Sequence, residues 1–381
     1  MPKGIERASR QGIDQVQTVA GGYLNQAQAG SIGVFANEFG VEANLLAVCQ
    51  VSAAIGQLLG IANDDFLLVV SYDEPHGPCV CPRPFSEMYR DFVFPGGPNV
   101  GDTLANKPEE QRVWAGDRLN RKLPPYKSPD FFGSFSFADS EIGRVLDQID
   151  KSAPQALVMY TADHGAFLDA HRLVDKGPAM YEEITRIPLL MRWPGSAPAN
   201  SVCRHPVSHI DIVGTLMEIY GHEVPKSLEG KSMLGTFRDP AVKPRDHVFI
   251  EFGRYEVDHD GFGGFQPIRC VSDGRYKLAV HLLTSDELYD LETDPGEMTN
   301  LIHSPAHAGR RNELHDRLLA WMDETRDPFR GYYWERRDWR LDVKVSWAHH
   351  GMTRQREDDG YEPRQLNYDT GLTMKDAARR K

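Results

Sequence analysis

The chain has 381 residues, of which 40% are hydrophobic and 26% charged, a composition typical of a soluble globular protein with one large domain and a smaller one. It excludes a disordered chain, a collagen and a small disulfide scaffold. The 43 basic and 55 acidic residues leave a formal net charge of −12, which argues against nucleic acid or an anionic membrane as the main partner. An anionic substrate would therefore need a local basic pocket.

The first 62 residues carry few clear signals. Residues 1–40 show only weak periodicity, and no apolar run follows the basic residues at the start, as it would in a secretion signal. The five cysteines are scattered along the chain, which favours a reducing compartment over disulfides, so we predict a cytoplasmic protein. The uncharged stretch Ala43–Ala62 is as long as a membrane span, but its polar residues favour a buried helix.

Apolar runs of strand length alternate with helical patterns in the next part of the chain. This alternation predicts an α/β domain with a largely parallel sheet, whose strands are covered on both faces. A glycine at position 221 is expected to end the second helix. The predicted strands are Phe66–Tyr72, Ala156–Tyr160 and Ile187–Trp193, and the predicted helices are Ser136–Ile149 and Ile210–Tyr220.

The pattern changes after about residue 245. Short strands separated by turn signals predict an antiparallel meander followed by a helix and an irregular tail. We therefore expect four regions, namely residues 1–62, a partial α/β domain at 63–244, a C-terminal subdomain at 245–327 and a tail at 328–381. The expected strands are His247–Phe252, Ile268–Val271, Tyr276–Leu283 and Glu287–Asp290, and the expected helix is Asn312–Asp327.

Two of the buried strands lead directly into turns crowded with polar residues. The first turn is Ser71–Pro78 and the second is Thr161–Gly165; ligands of open α/β sheets bind beyond the carboxyl ends of strands. In a loop, Asp163 and His164 can face one divalent cation. Taken alone, however, the pair is better explained as a helix-capping aspartate followed by an exposed histidine than as a cation site.

The residues that follow resemble the sulfatase family of the alkaline-phosphatase-like superfamily. Lys176 stands thirteen residues after Asp163, and Tyr181-Glu-Glu leads into Arg186-Ile-Pro-Leu, as in that family. Further blocks of the same kind occur in the family's order, so that the resemblance extends over roughly four fifths of the chain. These blocks are Phe66–His76, Val207–Leu216 and Glu287–Leu301.

Within that family the chain is most similar to uncharacterised bacterial sulfatases that share three further stretches. These could shape a pocket specific to the subgroup, although a surface loop with no ligand role is the simpler interpretation. The stretches are Ser71–His76, Ala105–Glu109 and Arg254–His259, the last of which leads into Gly261–Phe265.

The resemblance implies a three-layer α/β fold with a mostly parallel sheet and a smaller C-terminal antiparallel sheet with a helix. It implies that Asp163 and His164 bind a divalent cation, expected to be Ca²⁺ with Mn²⁺ as the alternative, and that His76 and Lys176 bind the anionic ester. An ammonium and a protonated imidazole suit that task. His171 is expected near the same opening, either as a substrate ligand or as an exposed histidine without a role.

The family's nucleophile motif, Cys or Ser in Cys/Ser-x-Pro-x-Arg, does not occur in the sequence. Cys81-Pro-Arg-Pro is only superficially similar, and Asn63-Asp-Asp65 precedes a strand instead of following one. We also expect residues 1–60 to be unable to supply the strand that the family places before Phe66. Three hypotheses follow: a sulfatase whose chain is incomplete, a phosphonate or phosphate ester hydrolase of the same superfamily, and an inactive sulfatase-like binding protein.

The first hypothesis is the one that we adopt as the prediction. The expected substrate is a small-molecule or saccharide sulfate ester, with no organic cofactor, no nucleic acid and no membrane partner. The aromatic and arginine-rich tail after Asp327 favours a homo-oligomer.

Overall fold

In a computed structural model of the chain, the described residues are 31–35, 67–225, 228–254 and 265–343, and for 31–35, 254 and 265 only the backbone is described. The chain forms two compact units. The first comprises residues 1–95, 124–159 and 191–195, and the second comprises residues 96–123, 160–190 and 196–381. The predictions for Ala43–Ala62, for Asn63–Asp65 and for the loop 255–264 lie outside the described residues.

The first unit contains a strand that we expected to be missing. Strand β1 (Ser31–Phe35) pairs in parallel with β2 (Leu67–Ser71), from Ser31 opposite Leu67 to Phe35 opposite Ser71. The expectation that residues 1–60 cannot supply a strand is therefore wrong. Sheet pairing is made by backbone groups, so a run of five residues suffices even where the surrounding composition favours no strand.

A long helix packs beside the turn region of the first unit. Helix α1 (Phe85–Met88) lies against α3 (Pro129–Ser152), and a Cβ added at Gly133 would come within 2.7 Å of the carbonyl oxygen of Phe85. Helix α3 begins seven residues before the predicted start at Ser136, because Pro129 occupies its first turn with a preset φ.

Two short strands follow α3 along the chain. Strands β3 (Val158–Thr161) and β4 (Leu189–Arg192) pair with each other, within two residues of the predicted bounds. The expectation that these runs are covered on both faces is wrong, because Val69 of β2 is 47% exposed and Leu190 of β4 is 63% exposed. Among the described residues each of these sheets has two strands, so apolar side chains remain in contact with water.

The second unit carries several short helices before its sheet. Helix α5 (Ile210–Ile219) ends just before Gly221, as predicted, since Gly221 has a φ of +72° and His222 N–H donates to the carbonyl of Met217 at 2.8 Å. The α-helices are α2 (Glu109–Ala115), α4 (Glu182–Thr185), α5 (Ile210–Ile219) and α6 (Leu234–Arg238), and the 3₁₀ turns are Pro98–Gly101, Gly116–Asn120 and Ala170–Arg172.

The C-terminal part of the second unit is the predicted antiparallel meander with a helix packed on it. Strands β5 to β8 pair in chain order, and their apolar side chains share a core with the helix. Burying each leucine there contributes about 1.5–3 kcal/mol. The elements are β5 (Val248–Arg254), β6 (Phe265–Ser272), β7 (Tyr276–His281), β8 (Glu287–Asp290), α7 (Ala308–Glu324) and α8 (Tyr332–Glu335), with a 3₁₀ turn at Pro305–His307.

The described part of the tail packs on this same subdomain. Trp334 is buried in its core, and Arg337 and Trp339 both donate to the carboxylate of Asp286 at 2.8 Å. The tail up to residue 343 therefore covers a surface of its own subdomain, while the homo-oligomer stays a prediction. None of the helices in the described ranges is both long and apolar enough to cross a membrane.

Candidate functional site

The turn after β3 presents a carboxylate and an imidazole side by side. The Asp163 side chain is 86% exposed, and its Oδ2 lies 3.4 Å from His164 Nε2. His164 N–H donates to Asp163 Oδ1 at 2.8 Å, so the aspartate turns back on its own backbone. No helix begins at this position, so the interpretation of Asp163 as a helix cap is wrong.

The two nitrogens of the His164 ring face different partners. Its Nδ1 lies 2.9 Å from the carbonyl oxygen of Gly165, which selects the tautomer with the proton on Nδ1. In that tautomer Nε2 carries a lone pair beside the Asp163 carboxylate, so that one cation could bind both groups. The turn therefore offers an exposed carboxylate and an imidazole nitrogen from adjacent residues.

Gly165 seats this turn against α4. Its N–H donates to the carbonyl of Ile184 at 3.0 Å, and a Cβ at position 165 would lie 1.8 Å from the carbonyl oxygen of Glu183. On the other side, His209 Nε2 donates to the carbonyl of Ala162 at 2.7 Å. The backbone on both sides of the Asp163–His164 pair is therefore held by other segments.

Lys176 lies in a loop that closes back on the same region. Phe167 N–H donates to the carbonyl of Asp175 at 3.0 Å. Gly177 packs on Trp114 so closely that a Cβ there would come within 2.4 Å of the indole ring. The residues on either side of Lys176 are thus fixed, and the Lys176 side chain is half-buried.

His76 belongs to the first unit, in the turn that follows β2. Its side chain is exposed, its backbone N–H donates to the carbonyl of Asp73 at 2.8 Å, and its Nδ1 lies 2.9 Å from the carbonyl of Gly77. The turn is therefore ordered by its own backbone and leaves the imidazole in contact with water.

His171 is not the exposed residue that the sequence predicted. Its side chain is fully buried, its Nδ1–H donates to Asp102 at 2.7 Å, and its Nε2 accepts from the Asn99 amide at 3.0 Å. Its ring stacks on that of Tyr181 with 3.7 Å between centroids. A ring with both nitrogens and one face engaged has no group left for a substrate, so we do not assign it that role.

Buried charges surround His171. Burial lowers the pKa of His171; the hydrogen bond to Asp102 opposes this effect, and the charge of Lys107 adds to it. Although burial alone would raise it, the hydrogen bond from His171 and the charge of Lys107 lower the pKa of Asp102 to about 2. Lys107 Nζ lies 2.6 Å from Asp102 and also donates to the carbonyl of Glu297 at 2.6 Å.

Helix α4 is attached to this network and to the C-terminal sheet. Glu183 Oε1 accepts from Asn99 at 2.5 Å, and Glu182 N–H donates to Glu297 Oε2 at 2.7 Å. Lys277 of β7 donates to Glu182 at 2.9 Å and lies 2.7 Å from Glu297 Oε1. The four-residue helix that supports Gly165 is therefore held by polar contacts from buried side chains.

Most of these buried residues are not singled out by the sequence patterns. Lys107 lies within Ala105–Glu109, the stretch that we noted as specific to a subgroup, and Glu182 and Glu183 belong to the Tyr-Glu-Glu string. Glu297 lies within the Glu287–Leu301 block, but nothing in that block indicated its burial. Asn99 and Lys277 carried no signal, since a polar residue in a loop or on a strand is ordinarily solvated.

A second buried pair supports a pH prediction. Although burial opposes its charge, hydrogen bonds to Glu110 and Glu287 raise the pKa of His281 to about 10, and His281 in turn lowers the pKa of Glu287 to about 2 despite burial. The His281 contribution to stability is full below pH 6.5 and lost towards pH 10. The Glu287 contribution is full above pH 4.5 and lost towards pH 2.

We therefore expect this pair to stabilise the protein most between pH 4.5 and 6.5. Glu287→Gln should lower the free energy of unfolding by about 2 kcal/mol in that range. The loss should shrink towards pH 3 and pH 10, measured by urea unfolding. A loss that does not vary with pH would contradict the assignment.

The donors of the turn fit part of a divalent cation's coordination shell. One carboxylate and one imidazole suit such an ion, but Ca²⁺ takes six to eight oxygen ligands. Within the described ranges no three His, Cys, Asp or Glu side chains are grouped so that they could hold a metal. Further ligands would therefore have to come from carbonyls, water, substrate or residues outside those ranges.

Two sequence families match the chain over these elements. The family described as Sulfatase matches residues 50–222, and the one described as N-sulphoglucosamine sulphohydrolase, C-terminal, matches residues 169–324. The uncharacterized sulfatase YidJ of Escherichia coli (strain K12) is 44% identical over 319 residues, which are 82% of this chain and 61% of YidJ. This chain belongs to the sulfatase family.

Solved structures confirm the predicted fold of this sulfatase-family chain. The structure of BT4656 in complex with its substrate D-glucosamine-2-N,6-O-disulfate has a TM-score of 0.63 at 19% identity, covering 74% of this chain and 70% of that one. The phosphonate monoester hydrolase of Agrobacterium radiobacter has a TM-score of 0.59 at 21% identity, covering 73% and 61%. The chain spans 61% of the length of YidJ and between 36% and 53% of the next three curated relatives.

Proposed function

We propose that this protein hydrolyses sulfate esters of saccharides or small molecules. The observation that carries the proposal is the exposed carboxylate of Asp163 beside the Nε2 of His164, at the end of a strand in a chain of the sulfatase family. BT4656, which has a similar fold, binds D-glucosamine-2-N,6-O-disulfate as its substrate. This similarity supports a sulfated sugar as the substrate class.

Asp163 and His164 would hold a divalent cation, with Ca²⁺ as our first choice and Mn²⁺ as the alternative. When bound, such an ion supplies positive charge that stabilises negative charge on the ester oxygens. The residues fit this task because the carboxylate is open to water and the tautomer of His164 leaves a lone pair on Nε2, 3.4 Å from that carboxylate.

Lys176 and His76 would act on the ester itself. The Lys176 ammonium would pair with a sulfate oxygen, as a point charge that needs no fixed geometry. His76, exposed in its turn, would donate a proton to the leaving alcohol oxygen when charged. We assign no nucleophile, because the sequence contains no Cys/Ser-x-Pro-x-Arg string.

The test uses the protein expressed from its own gene. Hydrolysis of 4-nitrophenyl sulfate and of a glucosamine 6-sulfate is measured with Ca²⁺, with Mn²⁺ and after chelation. Asp163→Asn and Lys176→Ala are each expected to lower kcat/KM by about 10²- to 10³-fold, because each removes a charge placed next to the reacting group. Chelation should abolish activity in the parent protein.

Matched controls are Asp117→Asn and Lys122→Ala, which change exposed residues of the same two types in the same unit. Both should keep the parent activity. Faster hydrolysis of phenyl phosphonate monoesters than of sulfates would favour the phosphonate hydrolase instead. A purified protein that hydrolyses neither ester with either metal would favour the binding protein and contradict our proposal.

A further inference from the structure

We propose that buried His171 is a positioning residue for the Asp163–His164 turn, acting through Asn99 and α4. The inference rests on the proposed function only in taking that turn as the ligand-binding pair. All of the residues involved belong to the second unit.

The first step is the amide of Asn99, which hydrogen-bonds to both His171 and Glu183, whose Nε2 and Oε2 atoms lie 3.8 Å apart. Its Nδ2 lies 3.0 Å from His171 Nε2 and 2.5 Å from Glu183 Oε1. An amide nitrogen has two hydrogens, so both contacts are made when each partner is an acceptor. Asn99 is 1% exposed, so water cannot readily take over either contact.

The second step is the protonation state that this bridge requires of His171. Nε2 must carry a lone pair, and hence the ring proton must sit on Nδ1. Asp102 Oδ2 accepts the hydrogen bond from this Nδ1–H group at 2.7 Å. Lys107 Nζ lies 2.6 Å from the same oxygen and keeps Asp102 charged. The segment around Asp102 therefore selects the one neutral tautomer that Asn99 can bind.

The third step links Glu183 to the turn. The carboxylate of Glu183 is bound by Asn99, and the backbone carbonyl of the same residue touches Gly165. There is no room for a side chain at this contact, so a shift of α4 moves the backbone of Gly165. Asp163 and His164 are the two residues immediately before it.

The buried polar network around His171 is better suited to fixing the position of the turn than to stabilising the fold. Buried charged and polar networks are often no more stabilising than apolar residues of the same volume. They do, however, fix geometry, because hydrogen bonds are directional and an unmade one is costly. His171 is thus placed to hold the turn in a single geometry without touching the ligand.

The test compares His171→Phe, which keeps a ring against Tyr181 but removes both hydrogen bonds, with Asn99→Leu, which removes only the bridge. Amide hydrogen exchange of the full chain is followed by mass spectrometry in peptides that cover residues 163–168. Both variants should speed exchange there at least about tenfold, because Gly165 N–H loses its fixed partner on α4. Ca²⁺ affinity, measured by calorimetry, should fall about 10- to 100-fold.

The matched control is His315→Phe. His315 is also fully buried, donates from Nε2 to the carbonyl of Trp334 at 2.8 Å and packs against Trp339. Among the described residues its hydrogen-bond and ring partners, which also include Arg340, lie outside α4. It should lower global stability without changing exchange in residues 163–168.

Unchanged exchange at 163–168 in a folded Asn99→Leu or His171→Phe protein would overturn the inference, as would an equal increase in the His315→Phe control. If the parent protein binds no Ca²⁺, the metal assignment of the proposed function fails, while the exchange measurement still decides the role of His171.

Discussion

Replacing Gly165 with alanine is expected to lower sulfate-ester hydrolysis and metal affinity at least about a hundredfold, because a displacement of about 1 Å at a catalytic group has that effect. The new Cβ would lie 1.8 Å from the carbonyl oxygen of Glu183 and 2.9 Å from its carbonyl carbon. Both atoms belong to backbone that buried side chains hold in place. The turn must therefore move, and Asp163 and His164 move with it. Enzyme kinetics and Ca²⁺ calorimetry on the purified variant measure the effect.

Gly143→Ala is the matched control for this substitution. Gly143 lies inside helix α3, and a Cβ there would meet no atom within 4 Å. The change should raise the free energy of unfolding by about 0.5–1 kcal/mol, since alanine loses less backbone entropy than glycine in a helix, and leave activity unchanged. Full activity of the Gly165→Ala protein would show that the turn does not depend on its contact with α4.

Lys277→Met should lower the free energy of unfolding by about 3–5 kcal/mol, because it leaves two carboxylates without their buried counter-charge. Lys277 is 2% exposed and Glu297 1% exposed. Methionine keeps most of the side-chain volume, so the loss reports the charge more than a cavity. Urea unfolding at pH 5.5 and at pH 8 measures it.

The pH dependence of this loss has a definite sign. Burial raises the pKa of Glu297 to about 7 even with Lys277 present, from an ordinary value of 4.5. A carboxyl with a raised pKa adds stability that is full below pH 4.5 and is lost as the pH rises through 7. Without Lys277 the ionised form is less tolerated still, so Lys277→Met should cost more at pH 8 than at pH 5.5.

A double-mutant cycle separates the charge from packing. Glu297→Gln in the Lys277→Met background should recover part of the lost stability, because the remaining carboxylate is then removed as well. Strictly additive losses would show that Lys277 and Glu297 are not coupled, contrary to their 2.7 Å contact.

Local sequence patterns were sufficient for most of the regular elements. The β8 strand Glu287–Asp290 has the predicted bounds, and Gly221 follows the end of α5 as expected. Alternation, helical period and a residue with positive φ act over a few neighbours. β1 was missed because its pairing with β2 joins backbones 36 residues apart, as in Ser31 opposite Leu67, and leaves little trace in composition.

In the candidate site, too, some features are visible in local sequence and others depend on distant residues. The Asp163–His164 pair and its spacing from Lys176 lie within one continuous segment, and a family resemblance can detect such a segment. His171 lies in that segment too, but the sequence predicted it near the opening of the site. Its burial depends on Asn99 and Asp102, about seventy residues away along the chain.

The sequence by itself determined the family, the fold class and the residue types that face the turn, because these depend on short strings and local periods. Only the tertiary structure decided which charges are buried and what they hold. Long-range packing brings Asn99 to His171 and Lys277 to Glu182. The type of a polar residue does not show whether its side chain is buried against a protein partner or hydrogen-bonded to water.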